Sequence, residues 1–173
     1  FSRGWYVQLY TAEGLFYAAE TEAARVYRSA SGVAGAAVGE GGLLARTEGV
    51  PKLLVVAENP AQTASVISEL TRALSGEVDV MASNPTYIEI VRPGVSKAAA
   101  MLAIAENRGI KTAEIMAMGD SGNDVPMLRA AGLGVAMGNA APAVREAADA
   151  VTARVEENGA ALAVRRYVLG EKG

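Results

Sequence analysis

Cysteine and histidine are both missing from these 173 residues, and each absence closes off a class of chemistry. Without cysteine there can be no disulfide and no thiolate metal site. Nothing points to an oxidising compartment, so the cytoplasm is the expected setting. Without histidine the usual general base and the usual transition-metal ligand are gone, and chemistry falls to carboxylates, lysine and tyrosine. A hard, oxygen-seeking cation such as Mg²⁺ is what this composition could hold. A basic excess is missing too. Sixteen Lys and Arg stand against nineteen Asp and Glu, for a net charge of −3, and they are scattered, which leaves no footprint for nucleic acid or an anionic membrane. No apolar run approaches the roughly 18–20 residues of a membrane span. No Walker loop is present, and no G-x-G-x-x-G follows a strand-like run, so nucleotide folds of those types have no support.

What remains has a globular composition, 51% hydrophobic and 20% charged, with length for one ordinary domain or two small ones. WYVQLY (5–10) and LFYAA (15–19) are aromatic, β-rich runs separated by the turn-prone TAEG, and they predict a hairpin. TEAARVYRSA (21–30) predicts a short helix capped by Thr21. Residues 32–49 hold six glycines and read as loop. KLLVVAE (52–58) predicts a buried strand, and Asn59-Pro60 opens a helix with Val66, Ile67, Leu70 and Leu74 at helical spacing. EVDVMAS (77–83) and TYIEIVR (86–92) alternate as half-buried strands do, with Glu89 on the solvent side. Trp5, Tyr6, Tyr10 and Tyr17 are expected to pack the hairpin.

After Pro93-Gly94 the rhythm changes to strand–helix repeats. Ser96 opens a helix through Arg108, with Gly109 past its end. IMAMG (115–119) is a strand and PMLRAA (126–131) lies on a helix. LGVAMG (133–138), APAVREAA (141–148) and DAVT (149–152) continue the alternation, and one helix is expected from about Glu156 to Leu169. Strands alternating with helices imply a mostly parallel α/β sheet, with the domain boundary near Pro93.

In open α/β sheets, ligands bind at the carboxyl ends of the strands. Asp120 holds that position directly after IMAMG, where Gly119 and Gly122 allow a tight turn. Asp120 and Asp124 repel one another when partly buried, so the pair needs a cation. The competing reading makes Asp120 a helix N-cap and Asp124 a first-turn acid. Lys97 sits in the first turn of a helix, where its charge opposes the dipole. It is either a solvated lysine or a tethered cation that reaches a phosphate or pairs with Asp124. Asn139, after GVAMG, is a turn residue or an amide supporting the same pocket.

Taken together, GVSKAAAMLAIAENRGI (94–110), MAMGDSGNDVPMLRAAGLGVAMGNA (116–140) and ADAVT (148–152) closely resemble the Cof-type phosphatases of the haloacid dehalogenase-like superfamily. The resemblance implies a partial Rossmann-like core with a parallel sheet over residues 93–173. It also implies an α/β cap domain, incomplete at its start, over residues 1–92. The implied activity is Mg²⁺-dependent hydrolysis of a phosphomonoester on a sugar or other small metabolite, through an aspartyl-phosphate. Carried over, Asp120 and Asp124 are the metal ligands. Lys97 and Asp124 are the catalytic pair, and Lys97, Asn123 and Asn139 contact the phosphate or substrate. Ala98 departs from the glycine frequent in the family.

A larger departure is the family's D-x-D motif, which carries the attacking carboxylate. The four aspartates here are Asp79, Asp120, Asp124 and Asp149, and none forms D-x-D. The expectation is a cap plus half-core of a larger enzyme, inactive by itself, with IMAMG left as an open edge. A missing N-terminal segment or a homodimer would complete the sheet. No nucleic-acid or membrane partner is expected. The alternative is a non-catalytic ligand- or partner-binding module derived from such a phosphatase. A P-type ATPase phosphorylation domain shares GD-x-x-ND, but it fails on the absent membrane segment and on the soluble-phosphatase flanks GVSK and VAMGNA.

Overall fold

The computed structural model describes residues 3–171. The chain divides into two compact units, the first ending at Pro93 and the second beginning at Gly94.

In the first unit, β1 (Tyr6–Thr11) and β2 (Gly14–Tyr17) form the antiparallel hairpin, with Gln8 opposite Tyr17. Helix α1 (Glu22–Ser31) starts where the Thr21 hydroxyl accepts the Ala24 N–H at 3.2 Å. That bond satisfies one of the amides a helix start leaves open. The glycine-rich stretch is more ordered than its composition suggests. It supplies β3 (Gly35–Ala37), parallel to β2, and the short helix α2 (Gly39–Leu44). The ladder is extended by Leu15 N–H to Ala34 O at 3.0 Å and Val38 N–H to Tyr17 O at 2.9 Å. These partners are backbone groups, which no side-chain periodicity announces.

Next come β4 (Lys52–Val56), α3 (Pro60–Ala73), β5 (Asp79–Asn84) and β6 (Tyr87–Val91). Asn59 caps α3 through the Gln62 N–H at 2.9 Å, and Pro60 takes the first helical position, where a missing N–H costs nothing. The sheet runs β3-β2-β1-β4-β6-β5. One face packs Val55, Ile88 and Ile90 against Val66 of α3. The other face mixes the buried Leu15 and Leu54 with polar side chains. Gln8 is completely buried, yet its amide is satisfied, because the Tyr6 hydroxyl donates to it at 2.8 Å and it donates to the Tyr10 hydroxyl at 3.1 Å. The Tyr10 hydroxyl then donates to Tyr27. Burial pushes the Tyr6 and Tyr10 phenols above their ordinary range. Glu89, expected on the solvent side, is instead half-buried and paired with Lys52 at 3.1 Å.

The second unit contains α4 (Lys97–Asn107), β7 (Met116–Gly119), α5 (Val125–Ala130), β8 (Leu133–Ala136), α6 (Pro142–Glu146), β9 (Ala150–Val151) and α7 (Gly159–Ala163). Its three strands are all parallel, in the order β7-β8-β9. Ala117, Leu128, Ala136 and Val144 fill the core between them and the helices. Strand β7 pairs with β8 on one side and with no strand on the other among the described residues.

The closing helix expected from about Glu156 to Leu169 starts later, at Gly159, and runs without a break to Val168. A 3₁₀ turn over Val155–Glu157 ends at Asn158 in the left-handed region (φ 59°), α7 follows, and a π-type turn covers Val164–Val168. The cause is close backbone packing. A Cβ on Gly159 would stand 2.0 Å from the Ala153 carbonyl oxygen, and the Gly159 N–H is given to Arg154 O at 3.0 Å. The chain must therefore turn at 158 rather than wind through it.

Candidate functional site

Strand β7 delivers Asp120 at its carboxyl end, and the turn that follows is closed by Asp124. One Asp124 carboxylate oxygen, Oδ2, accepts the backbone N–H of Asp120 and that of Ser121, both at 3.0 Å. The capping task thus falls to Asp124. The side chain of Asp120 remains exposed at the mouth of the strand. Asp124 itself is only 3% exposed.

The other Asp124 oxygen, Oδ1, receives the Lys97 ammonium. Lys97 is the first residue of α4, placed there by the Ser96 hydroxyl, which accepts the Ala99 N–H at 3.1 Å. A lysine at that position opposes the helix dipole, and the buried carboxylate across the cleft offsets the cost. Burial raises the Asp124 carboxyl. The Lys97 hydrogen bond, the Ser121 and Asp120 N–H groups and the Lys97 charge outweigh it, and the net position is below the ordinary carboxylate value. Lys97 keeps half of its side-chain surface open, with Asn123 Oδ1 at 3.4 Å from its Nζ. It can hold Asp124 and still face a ligand.

Asp120 is tethered lightly. Its Oδ1 accepts the Ser121 hydroxyl at 3.2 Å and its Oδ2 accepts the Asn139 amide N–H at 3.3 Å. A carboxylate has about four acceptor positions, so lone pairs remain for a further partner. Asn139 uses its oxygen for the Val155 N–H at 3.1 Å. Lys97, Asp120, Asp124 and Asn139 line one cleft of about 450 Å³, closed in part by Met118, Met127, Met137 and Val155. Asn123 sits beside Lys97 and is not among the lining residues. The methionines and Val155 were not singled out from sequence. Met137 lies within VAMGNA and could have been, whereas Val155 carries no local signal.

The charged donors in the cleft are carboxylate oxygens, which fit Mg²⁺ rather than a softer metal. No cluster of three or more acidic side chains able to hold a metal exists among the described residues. Mg²⁺ commonly takes one or two protein carboxylates and fills the rest of its shell with water and substrate oxygens, so Asp120 with Asp124 behind it fits that habit.

The second unit is thus a parallel α/β sheet with an exposed carboxylate at a strand end, beside a lysine–aspartate pair in one cleft. The chain belongs to the haloacid dehalogenase-like hydrolases, whose family model matches residues 4–164. It is 45% identical over 104 residues to the 5-amino-6-(5-phospho-D-ribitylamino)uracil phosphatase YcsE of Bacillus subtilis, a match covering 60% of this chain and 41% of that protein. It is 37% identical over 109 residues to a phosphoglycolate phosphatase of Methanothermobacter thermautotrophicus, covering 62% and 49%. A solved haloacid dehalogenase-like hydrolase from Bacteroides thetaiotaomicron superposes with a TM-score of 0.82 at 31% identity, over 95% of this chain and 62% of that one. The chain spans less than half the length of both curated relatives. No helix among the described residues is long and apolar enough to cross a membrane.

Proposed function

We propose that this chain is the cap and C-terminal half-core of a cytoplasmic, Mg²⁺-dependent phosphomonoester hydrolase acting on a sugar phosphate or another small phosphorylated metabolite. The observation that carries this reading is the Lys97–Asp124 pair beside the free Asp120 carboxylate, in one cleft at the end of β7. Asp120, supported by Asp124, would hold the cation, which when bound neutralises phosphate charge. Lys97, anchored by Asp124, would draw the transferring phosphoryl group in, and Asn123 and Asn139 would shape the pocket around it. The names of the two curated relatives specify different substrates, and a phosphomonoester on a small metabolite is what those substrates share.

The attacking carboxylate of the aspartyl-phosphate route would come from outside these residues or from a second chain, since none of the four aspartates forms D-x-D. The free edge of β7 is where such a segment, or a second copy, would complete the sheet. A second reading, a non-catalytic binding module, is favoured by that same missing motif and opposed by the complete Lys97, Asp120, Asn123 and Asp124 set.

Hydrolysis of an aryl phosphate, with Mg²⁺ and with chelator, separates these readings. The 173 residues alone are expected to show no turnover, and a chain extended by a segment bearing D-x-D is expected to show Mg²⁺-dependent turnover that Asp120→Asn abolishes. Failure of the extended chain would favour the binding module. Turnover by the short chain, lost in Asp120→Asn, would mean that the attacking group lies within it.

A further inference from the structure

Asn139 is held at both ends. Its Oδ1 accepts the backbone N–H of Val155 at 3.1 Å, and its Nδ2 donates to Asp120 Oδ2 at 3.3 Å. An N–H can only donate, so the Val155 contact obliges the amide to present oxygen to residue 155 and nitrogen to Asp120. The turn carrying Val155 is itself fixed. The Gly138 N–H reaches Ala153 O at 3.0 Å, the Thr152 hydroxyl reaches Gly159 O at 2.7 Å, and Asn158 supplies the left-handed residue.

We propose that Asn139 is a positioning residue for Asp120, and that the 155–157 turn, through one backbone N–H, sets the direction of the Asp120 carboxylate. This rests on the reading of Asp120 as the residue that holds the cation. The arrangement has a physical rationale. Asp120 is exposed, and its other side-chain hydrogen bond among the described residues is to its neighbour Ser121 at 3.2 Å, so without Asn139 its side chain would be held only from the next residue. A donor fixed from a distant turn adds a second hold before any ligand arrives. Groups that orient a metal-binding side chain commonly alter metal affinity by about 10–100-fold when removed.

Val155 offers an unusually clean test. Its N–H has no partner within its own turn, and Asn139 is the acceptor it reaches. The residue as a whole is 59% exposed. Proline is tolerated at the first position of a helical turn, and the preceding residue, Arg154, already has the extended backbone that proline requires (φ −70°, ψ 165°). Val155→Pro therefore removes the donor while keeping an apolar side chain of similar size where Val155 borders the cleft.

The experiment uses the full 173-residue chain, isotopically labelled, with Mn²⁺ alone as the metal probe. In the unsubstituted chain the χ1 couplings of Asp120 should report one rotamer. In Val155→Pro and in Asn139→Ala they should average, and the double variant should add nothing further. Asn139→Asp keeps the acceptor for Val155 and loses the donor to Asp120, so the Val155 N–H should stay protected from exchange while Asp120 is released. A merely structural role for Asn139 would not separate those two readings. Paramagnetic broadening of the amides at 119–121 should need about tenfold or more Mn²⁺ in Val155→Pro and in Asn139→Ala. A single Asp120 rotamer retained in Val155→Pro or in Asn139→Ala would overturn the proposal, as would additive losses in the double variant. Asp120→Asn tests the underlying reading separately. If broadening persists in that variant, the cation assignment fails, whatever the rotamer data show.

Discussion

A Cβ built on Gly119 would stand 2.4 Å from the Cβ of Asp124. The last residue of β7 and the carboxylate that closes the next turn occupy adjoining space, and only a hydrogen at position 119 lets Asp124 fold back onto the Asp120 and Ser121 amides. Gly119→Ala should therefore displace Asp124 or bend β7. The expected loss is about 1–3 kcal/mol, the usual range for overpacking. Urea unfolding gives the stability, and amide shifts at 120 and 121 show whether the turn has opened. Unchanged stability and shifts would mean that the close approach is not required.

The Lys97–Asp124 pair predicts an acid-side weakness. The folded Asp124 carboxyl lies below its unfolded value of about 3.9, so near that pH the unfolded chain binds more protons than the folded one. The stability this group contributes is complete above about pH 4 and is lost as the pH falls from there through the folded value. Lys97→Met removes both the hydrogen bond and the charge, so the Asp124 titration should move upward. Carbon NMR of the Asp124 carboxyl against pH measures this directly, and an unmoved titration would show that Lys97 does not hold the carboxylate in solution.

Ser96 fixes the start of α4 and with it the base of the Lys97 side chain. Ser96→Ala should cost about 1 kcal/mol, as lost N-caps typically do. The Asp124 titration should then move in the same direction as in Lys97→Met, by a smaller amount. Loss of stability with no change at Asp124 would show that the cap supports the helix without placing the lysine.

Within the first unit, Ile88 has no exposed surface and packs with Val55, Val66 and Ile90. Ile88→Ala should cost about 2–5 kcal/mol through lost transfer energy and the cavity left behind. Amide exchange in β4 and β6 should rise first. A cost under 1 kcal/mol would mean that the sheet and α3 close over the gap.

Much of this architecture is legible in the sequence because it depends on near neighbours. Alternation marks β5 and β6, Thr21 and Asn59 mark their helix starts, and the position of Asp120 follows from one strand ending at Gly119. Readings failed where the deciding partner was distant or was backbone. Strand β3 lies in a glycine-rich stretch because β2 offers it hydrogen bonds, and no periodicity reports that. Glu89 reads as a solvent residue until Lys52, thirty-seven residues earlier, is brought beside it. The late start of the closing helix goes with Gly159 lying against Ala153, a contact that helical spacing cannot reveal.

The sequence by itself determined the chemistry available: no histidine or cysteine, a carboxylate at a strand end, a lysine at a helix start, and no D-x-D. These are matters of composition and short spacing, which survive without knowing where the chain goes. Only the tertiary structure decided which carboxylate is buried and which is free. Spacing puts Asp120 and Asp124 in one turn without saying which of them is buried. They differ because the chain folds Asp124 back onto two amides and a lysine twenty-seven residues away, leaving Asp120 open and held by an amide from another strand end. Burial and hydrogen bonding are properties of the fold, and they divide the roles of two identical side chains.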